Sequence, residues 1–195
     1  MIKKEIRNSV YEARKRISDI EYVRLNSNIF KAMITCDKLM KVIGDRPVFI
    51  YSSLKDEADT VEIAKYFLDK GNVIAYPKVT DKANKRMGFY SIKDFGELKT
   101  GYLGILEPET DVSADELAGN AVMIIPMVGF DENLNRIGYG GGFYDRYMME
   151  NFPFIKIGLA FEFQKYKIDD INEYDIKMDY IITEKDIYGG SYERF

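Results

Sequence analysis

The run Ala121-Val122-Met123-Ile124-Ile125-Pro126-Met127-Val128 is uninterruptedly apolar, and a few residues later comes Arg136-Ile137-Gly138-Tyr139-Gly140-Gly141-Gly142-Phe143-Tyr144-Asp145. An apolar run without polar alternation predicts a strand buried on both faces, as in parallel sheets covered by crossover helices. The glycines then lead into a helix predicted over residues 143–151. Toward the N-terminus, strands are predicted at 48–51, at 73–76 (stopped by Pro77) and, more weakly, at 87–92. Asp59 or Thr60 caps a helix between the first two that reaches Lys70 and ends at Gly71-Asn72. Toward the C-terminus, strands are expected at 155–161 and 180–183. Three helices precede the first strand. Residues 2–17 carry Ile2, Ile6, Val10, Ala13 and Ile17 at helical spacing, residues 18–35 open with Ser18 and Glu21 as a capping box, and residues 38–43 end before Gly44 and Pro47. This alternation predicts an α/β fold with three layers: a mostly parallel open sheet with helices on both faces, the N-terminal helices packed on the sheet, and one domain over residues 1–195.

Composition narrows the chemistry. The 195 residues are 46% hydrophobic and 31% charged, with 28 Lys plus Arg against 32 Asp plus Glu and a net charge of -4. An acidic balance argues against nucleic-acid or anionic-membrane partners, so an anion site has to be built locally. The chain has no histidine, which removes Ser-His-Asp and Cys-His catalysis and the usual zinc sites. Cys36, the one cysteine, reads as a structural thiol. No apolar run approaches the roughly 20 residues of a membrane span, and the charged N-terminus lacks a signal-peptide core, so a cytoplasmic location is expected.

Glycine fills four of the five positions from Gly138 to Gly142. Such a loop can gather backbone N–H groups into an anion nest, helped by the positive end of the following helix and by the forked donors of Arg136. A tight turn is the alternative reading. The segment lacks the Gly-Lys-Ser/Thr of a Walker loop and is not a dinucleotide fingerprint. Asp145 suits either a first-turn helix carboxylate or a Mg²⁺ ligand. Lys3, Arg7 and Arg14 fall within about 40° of one another on the helical wheel. That stripe is either solvated or lets Lys3 and Arg7 reach over the phosphates of a bound nucleotide; Lys4, Lys15 and Arg16 point elsewhere. Ser52 to Thr60 follow a strand and precede a helix, on the same sheet edge as the glycines. A carboxylate there, Glu57, can accept paired N–H donors from a heterocycle edge such as a pterin. Asp175 and Asp179, four apart, would share a face in helical or extended chain, or are simply surface charge. Most of the 27 Tyr and Phe residues belong to the core, although a few could stack on a flat ring.

These motifs together resemble the 5-formyltetrahydrofolate cyclo-ligase family over nearly the whole length. The resemblance is carried by Pro126 to Asp131 running into Asn135 to Arg146, by Lys3-Lys4-Glu5-Ile6-Arg7, by Glu57 in Asp56 to Thr60, and by Tyr76 to Val79 and Glu107-Pro108. It implies ATP-driven closure of 5-formyltetrahydrofolate to 5,10-methenyltetrahydrofolate with Mg²⁺, releasing ADP and phosphate. It implies ATP contacts from Lys3, Lys4, Glu5, Ile6, Arg7, Arg136, Ile137, Gly138, Tyr139, Gly140, Gly141, Gly142, Phe143 and Tyr144. Folate contacts would come from Ser52, Glu57 and the loop Tyr139, Gly140, Gly141, Gly142 and Phe143. Lys3, Arg136 and Asp145 would be catalytic, and Asp145 and Asp179 would hold the metal. Two departures stand out: Tyr174 replaces a frequent His before Asp175, and Phe143 replaces a frequent Tyr. Two other readings compete, a different small-molecule kinase or ligase and a non-catalytic nucleotide or folate sensor. Oligomeric state stays open between a monomer and a weak homodimer.

Overall fold

The computed structural model describes residues 1–150 and 154–190. Its helices are α1 (Lys3–Arg14), α2 (Asp19–Thr35), α3 (Asp37–Ile43), α4 (Val61–Asp69) and α5 (Phe143–Glu150). Its strands are β1 (Val48–Ile50), β2 (Ile74–Asp81), β3 (Arg86–Ile92), β4 (Leu98–Thr100), β5 (Leu106–Pro108), β6 (Val122–Pro126), β7 (Gly129–Phe130), β8 (Arg136–Ile137), β9 (Ile155–Leu159), β10 (Tyr180–Ile182) and β11 (Ile187–Gly189). The main sheet runs β11-β10-β9-β6-β1-β2-β3. Every pairing from β10 to β2 is parallel, and the outer strands β11 and β3 are antiparallel additions. The predicted end at Asn151 of the helix after the glycines lies outside the described residues.

The apolar run that opens the sequence reading is the sheet's centre, because β6 is paired on both sides and all five of its residues are buried. Alternate side chains feed two cores. Val122, Ile124, Val48 and Ile50 join Leu25, Ile29, Leu39 and Ile63 of α2, α3 and α4 on one face. Met123, Ile125 and Phe49 join Tyr147 and Met148 of α5 on the other. The sheet is therefore covered on both faces, as its lack of polar alternation requires. Ser18 caps α2, its hydroxyl accepting the Glu21 N–H at 3.2 Å.

β2 runs on through Pro77, where the sequence predicts its end, to Asp81. The N–H and C=O of Phe89, opposite Pro77, turn away from β2, to the Asp115 carboxylate and the Ala114 N–H. The missing proline N–H therefore faces the β1 side, where pairing has already ended at Phe49↔Ala75. Beyond Pro126 the chain leaves the main sheet for the ribbon β7–β8. The buried Gln164 amide donates to the Met127 and Val128 carbonyls at 3.0 and 2.9 Å and fixes that exit. Ile6 and Val10 of α1 are fully buried against Val128, Ile137 and Ile168. At about 1.5–3 kcal/mol for each buried side chain, that contact clamps α1 beside the ribbon.

Candidate active site

The carboxyl ends of β1 and β6 open into a cavity of about 530 Å³ lined by Tyr51, Ser52 and Pro126 from those strand ends. This is where open α/β sheets place their ligands. Lys3 and Arg7 of α1, Glu57, the whole loop Arg136 to Asp145 and Asp175 complete much of the lining. Residues far apart in sequence thus meet because α1, the ribbon and the β1–α4 loop all converge on one sheet edge.

The glycine loop is shaped for close approach. Gly140 and Gly142 have φ of +92° and +74°, conformations that a side chain would strain. Among the described residues, no protein acceptor takes the amide hydrogens of Gly138, Tyr139, Gly140, Gly141 or Gly142. Unpaired amides on a cavity wall, followed by the start of α5, form a ready anion nest. Arg7 pins the loop, its Nε donating to the Gly138 carbonyl at 2.8 Å. The Arg136 side chain is only 4% exposed, is ion-paired to Asp145 and leaves its Nε–H without a partner. Lys3 is paired to Asp175 at 2.5 Å.

The opposite wall is built on one carboxylate. Glu57 is buried and accepts the Leu54 N–H at 2.7 Å. Asp59, one residue before the N-cap Thr60, accepts the first amide of α4, the Val61 N–H, at 3.1 Å, and Thr60 itself makes no side-chain cap. The Thr60 hydroxyl instead donates to the Tyr51 carbonyl at 2.7 Å, tying the loop to the end of β1. Burial pushes the Glu57 carboxyl above its ordinary value, a rise partly offset by the Leu54 N–H, the Tyr139 hydroxyl and the Arg14 charge. Burial and the neighbouring Glu57 charge raise the Tyr139 phenol in turn.

Several expectations are corrected. Lys4 and Glu5 are exposed and Ile6 is fully buried in the α1 contact, so none of the three lines the cavity. On a helix only positions such as 3, 7 and 14 share the inward stripe. Asp179 sits at the amino end of β10, bonded to the Lys156 N–H and paired with the Lys156 ammonium, both at 2.8 Å. It is at the opposite end of the parallel strands from the cavity, whereas Asp175 is in it. The chain between them is neither helix nor strand, so the two carboxylates do not share a face. The sequence reading also missed Tyr102, Leu103, Ile105 and Glu107, which the β4–β5 hairpin brings to the rim. It placed Arg14 on the basic stripe without giving it a role. The signal for Arg14 was its spacing of seven from Arg7; the hairpin's only signal was the punctuation at Glu107-Pro108.

Fold and site define an α/β enzyme with an anion nest and a buried carboxylate facing one cleft. The family model described as the 5-formyltetrahydrofolate cyclo-ligase family matches residues 1–184. The chain belongs to that family, and its enzyme class is that of the cyclo-ligases. It is 27% identical over 192 residues to the 5-formyltetrahydrofolate cyclo-ligase of Mycoplasma pneumoniae, covering 95% of this chain and 100% of that one. It is 28% identical over 151 residues to the Escherichia coli K12 cyclo-ligase, covering 75% and 82%. The solved structure of Aquifex aeolicus 5,10-methenyltetrahydrofolate synthetase superposes with a TM-score of 0.83 at 26% identity, covering 100% of this chain and 96% of the other. Among the described residues no helix is long and apolar enough to cross a membrane.

Proposed function

We propose that this protein uses ATP and Mg²⁺ to close 5-formyltetrahydrofolate to 5,10-methenyltetrahydrofolate. The observation that carries the reading is the single cavity of about 530 Å³ that joins the unpaired glycine-loop amides, Lys3, Arg7 and Arg136 on one wall to Glu57 on the other. One wall suits a triphosphate; the other suits the paired N–H groups of a pterin. The formyl oxygen attacks the γ-phosphorus and ADP leaves. The folate N10 then attacks the activated carbon, its proton is lost and phosphate departs. Both nucleophiles come from the substrate, so a chain without histidine suffices. The protein positions the reactants and neutralises charge on the transferring group. Lys3, Arg7, Arg136 and the loop amides hold the phosphates, and Ser52, Glu57, Tyr139 and Phe143 orient the folate.

Asp145 and Asp175 fit the donor set for magnesium, which takes one or two carboxylates and fills its shell with phosphate oxygens and water. When bound, the ion would supply charge neutralisation on the phosphates. Ion pairing to Arg136 and Lys3 keeps both aspartates in place beforehand. Location in the cytoplasm is proposed on the sequence reading alone.

The test is direct. With 5-formyltetrahydrofolate, Mg²⁺ and ATP, the absorbance of methenyltetrahydrofolate should rise, with ADP formed in equal amount. Binding of both ligands without ATP-dependent product would favour the sensor reading.

A further inference from the structure

Arg14 is buried in the last turn of α1, behind the cavity wall rather than on it. One guanidinium nitrogen donates to the Tyr139 hydroxyl at 2.7 Å. The other donates to the Met127 carbonyl at 3.1 Å, which the Gln164 amide already satisfies at 3.0 Å. Its Nε–H has no partner, and its nearest carboxylate, Asp56, is 3.7 Å away and mostly in solvent. A buried cation with one unpaired donor and no close, buried carboxylate is a poor structural device; an apolar side chain of like size would serve packing better. What the cation does alone is orient Tyr139. A guanidinium has no acceptor, so the Tyr139 oxygen must accept from Arg14 and its proton is free for Glu57.

We infer that Arg14 is a positioning residue for the folate wall: it turns the Tyr139 hydroxyl onto Glu57 and holds that carboxylate ionised for the substrate's N–H donors. The inference rests on the reading of Glu57 as the folate contact. Glu57 is surrounded on every side: Arg14 from α1, Tyr22 from α2 through the Glu57 carbonyl at 2.9 Å, Tyr51 from the end of β1, and Tyr139 and Tyr144 from the glycine loop and α5. Asp56 and Asp59 belong to its own loop. Among the described residues that act on the Glu57 carboxylate, Arg14 is the cation; the Tyr139 hydroxyl assists ionisation and Asp56 opposes it. Its loss should therefore let the carboxyl take up a proton at higher pH.

The experiment is the pH profile of kcat/KM for 5-formyltetrahydrofolate at saturating Mg-ATP in the full-length protein and in Arg14→Met, Arg14→Lys, Tyr139→Phe and Glu57→Gln. Arg14→Met should move the acid limb upward by about one pH unit, a loss of about tenfold at a pH on the limb. Arg14→Lys keeps the charge and should recover most of the shift. Tyr139→Phe, at a half-exposed residue that does not threaten folding, should shift the limb the same way by less. The KM for ATP on the alkaline plateau should stay within about twofold. If Arg14→Met and Tyr139→Phe keep the parent's limb while Glu57→Gln abolishes it, the positioning role is wrong and the Glu57 reading stands. If Glu57→Gln itself keeps both limb and folate affinity, the Glu57 reading fails and this inference falls with it.

Discussion

On the α1 and glycine-loop side of the cavity, each cation already has an oxygen partner: Arg136 holds Asp145, Lys3 holds Asp175 and Arg7 holds the Gly138 carbonyl. On the Ser52 side stands one buried carboxylate that accepts a backbone amide and lies under the influence of the Tyr139 hydroxyl and the Arg14 charge. On the function proposed above, the first wall would exchange partners when an anion arrives, its carboxylates turning from the cations to a metal while phosphates take their place. The second wall is preset and exchanges nothing; it sacrifices carboxylate solvation in advance. A ligand with many charges meets the adaptable wall, and a flat ring with a fixed donor pattern meets the rigid one.

The difference is broken most severely at Arg136. Arg136→Ala removes a nearly fully buried guanidinium and leaves Asp145 facing incoming phosphates alone. Loss of one such charge-stabilising group is worth about 10²- to 10³-fold in rate. We expect kcat/KM for ATP to fall by that factor in a steady-state assay while folate affinity, measured by direct binding, changes little. A loss below about tenfold would remove Arg136 from the phosphate wall.

Asp175 and Asp179 offer a smaller test of which carboxylates belong to that wall. Asp175→Asn should raise the Mg²⁺ concentration for half-maximal rate by about tenfold, in line with the loss of one metal-site partner. Asp179→Asn should leave that requirement unchanged. Its cost should be structural only, since the Lys156 pair is partly exposed and such pairs are worth about 0–1 kcal/mol. That corresponds to a melting-temperature drop of at most about 4 °C for a chain of this size. Equal shifts in Mg²⁺ requirement from both variants would contradict the placement of Asp179.

These two aspartates also mark where the sequence stops being informative. Local chemistry was legible: the apolar run dictates a doubly covered central strand, the glycines dictate an open loop, and the 3, 7, 14 spacing dictates one inward helix face. Glu57 was legible as a carboxylate in a strand-to-helix loop on the cavity edge. Asp175 and Asp179 were not separable, because their roles depend on the path of an irregular segment between them. The Asp175 carboxylate accepts the Asn172 N–H at 2.7 Å and reaches Lys3, contacts no periodicity encodes. The β4–β5 hairpin failed for a similar reason. Its strands are three residues each, too short for alternation to register, and Leu103 at its tip takes a left-handed φ of +57° that its residue type does not announce. Pro77 misled because a proline ends a strand only where its N–H would have been used.

The smallest effect is the most diagnostic for the rigid wall. Net of Arg14, Tyr139 and the Leu54 amide, burial still leaves the folded-state pKa of Glu57 above the ordinary value of 4.5. The folded protein therefore holds this proton more tightly than the unfolded chain does. The resulting contribution to stability is fully present below 4.5 and is lost as pH rises through the raised folded value. Near neutral pH the ionised Glu57 is a net burden on the fold, one the site carries for the sake of its ligand. Glu57→Gln keeps an acceptor for the Leu54 N–H and removes the charge, so it should melt higher than the parent at neutral pH. The gain should shrink as pH falls and vanish where Glu57 is protonated in both states. Thermal melts of the two proteins across that range read this out without substrate. A variant that melts lower at neutral pH would mean that Arg14 and Tyr139 already compensate the carboxylate, and the wall would then be as adaptable as the one it faces; a gap that does not close in acid would mean that the gain comes from packing and not from the charge.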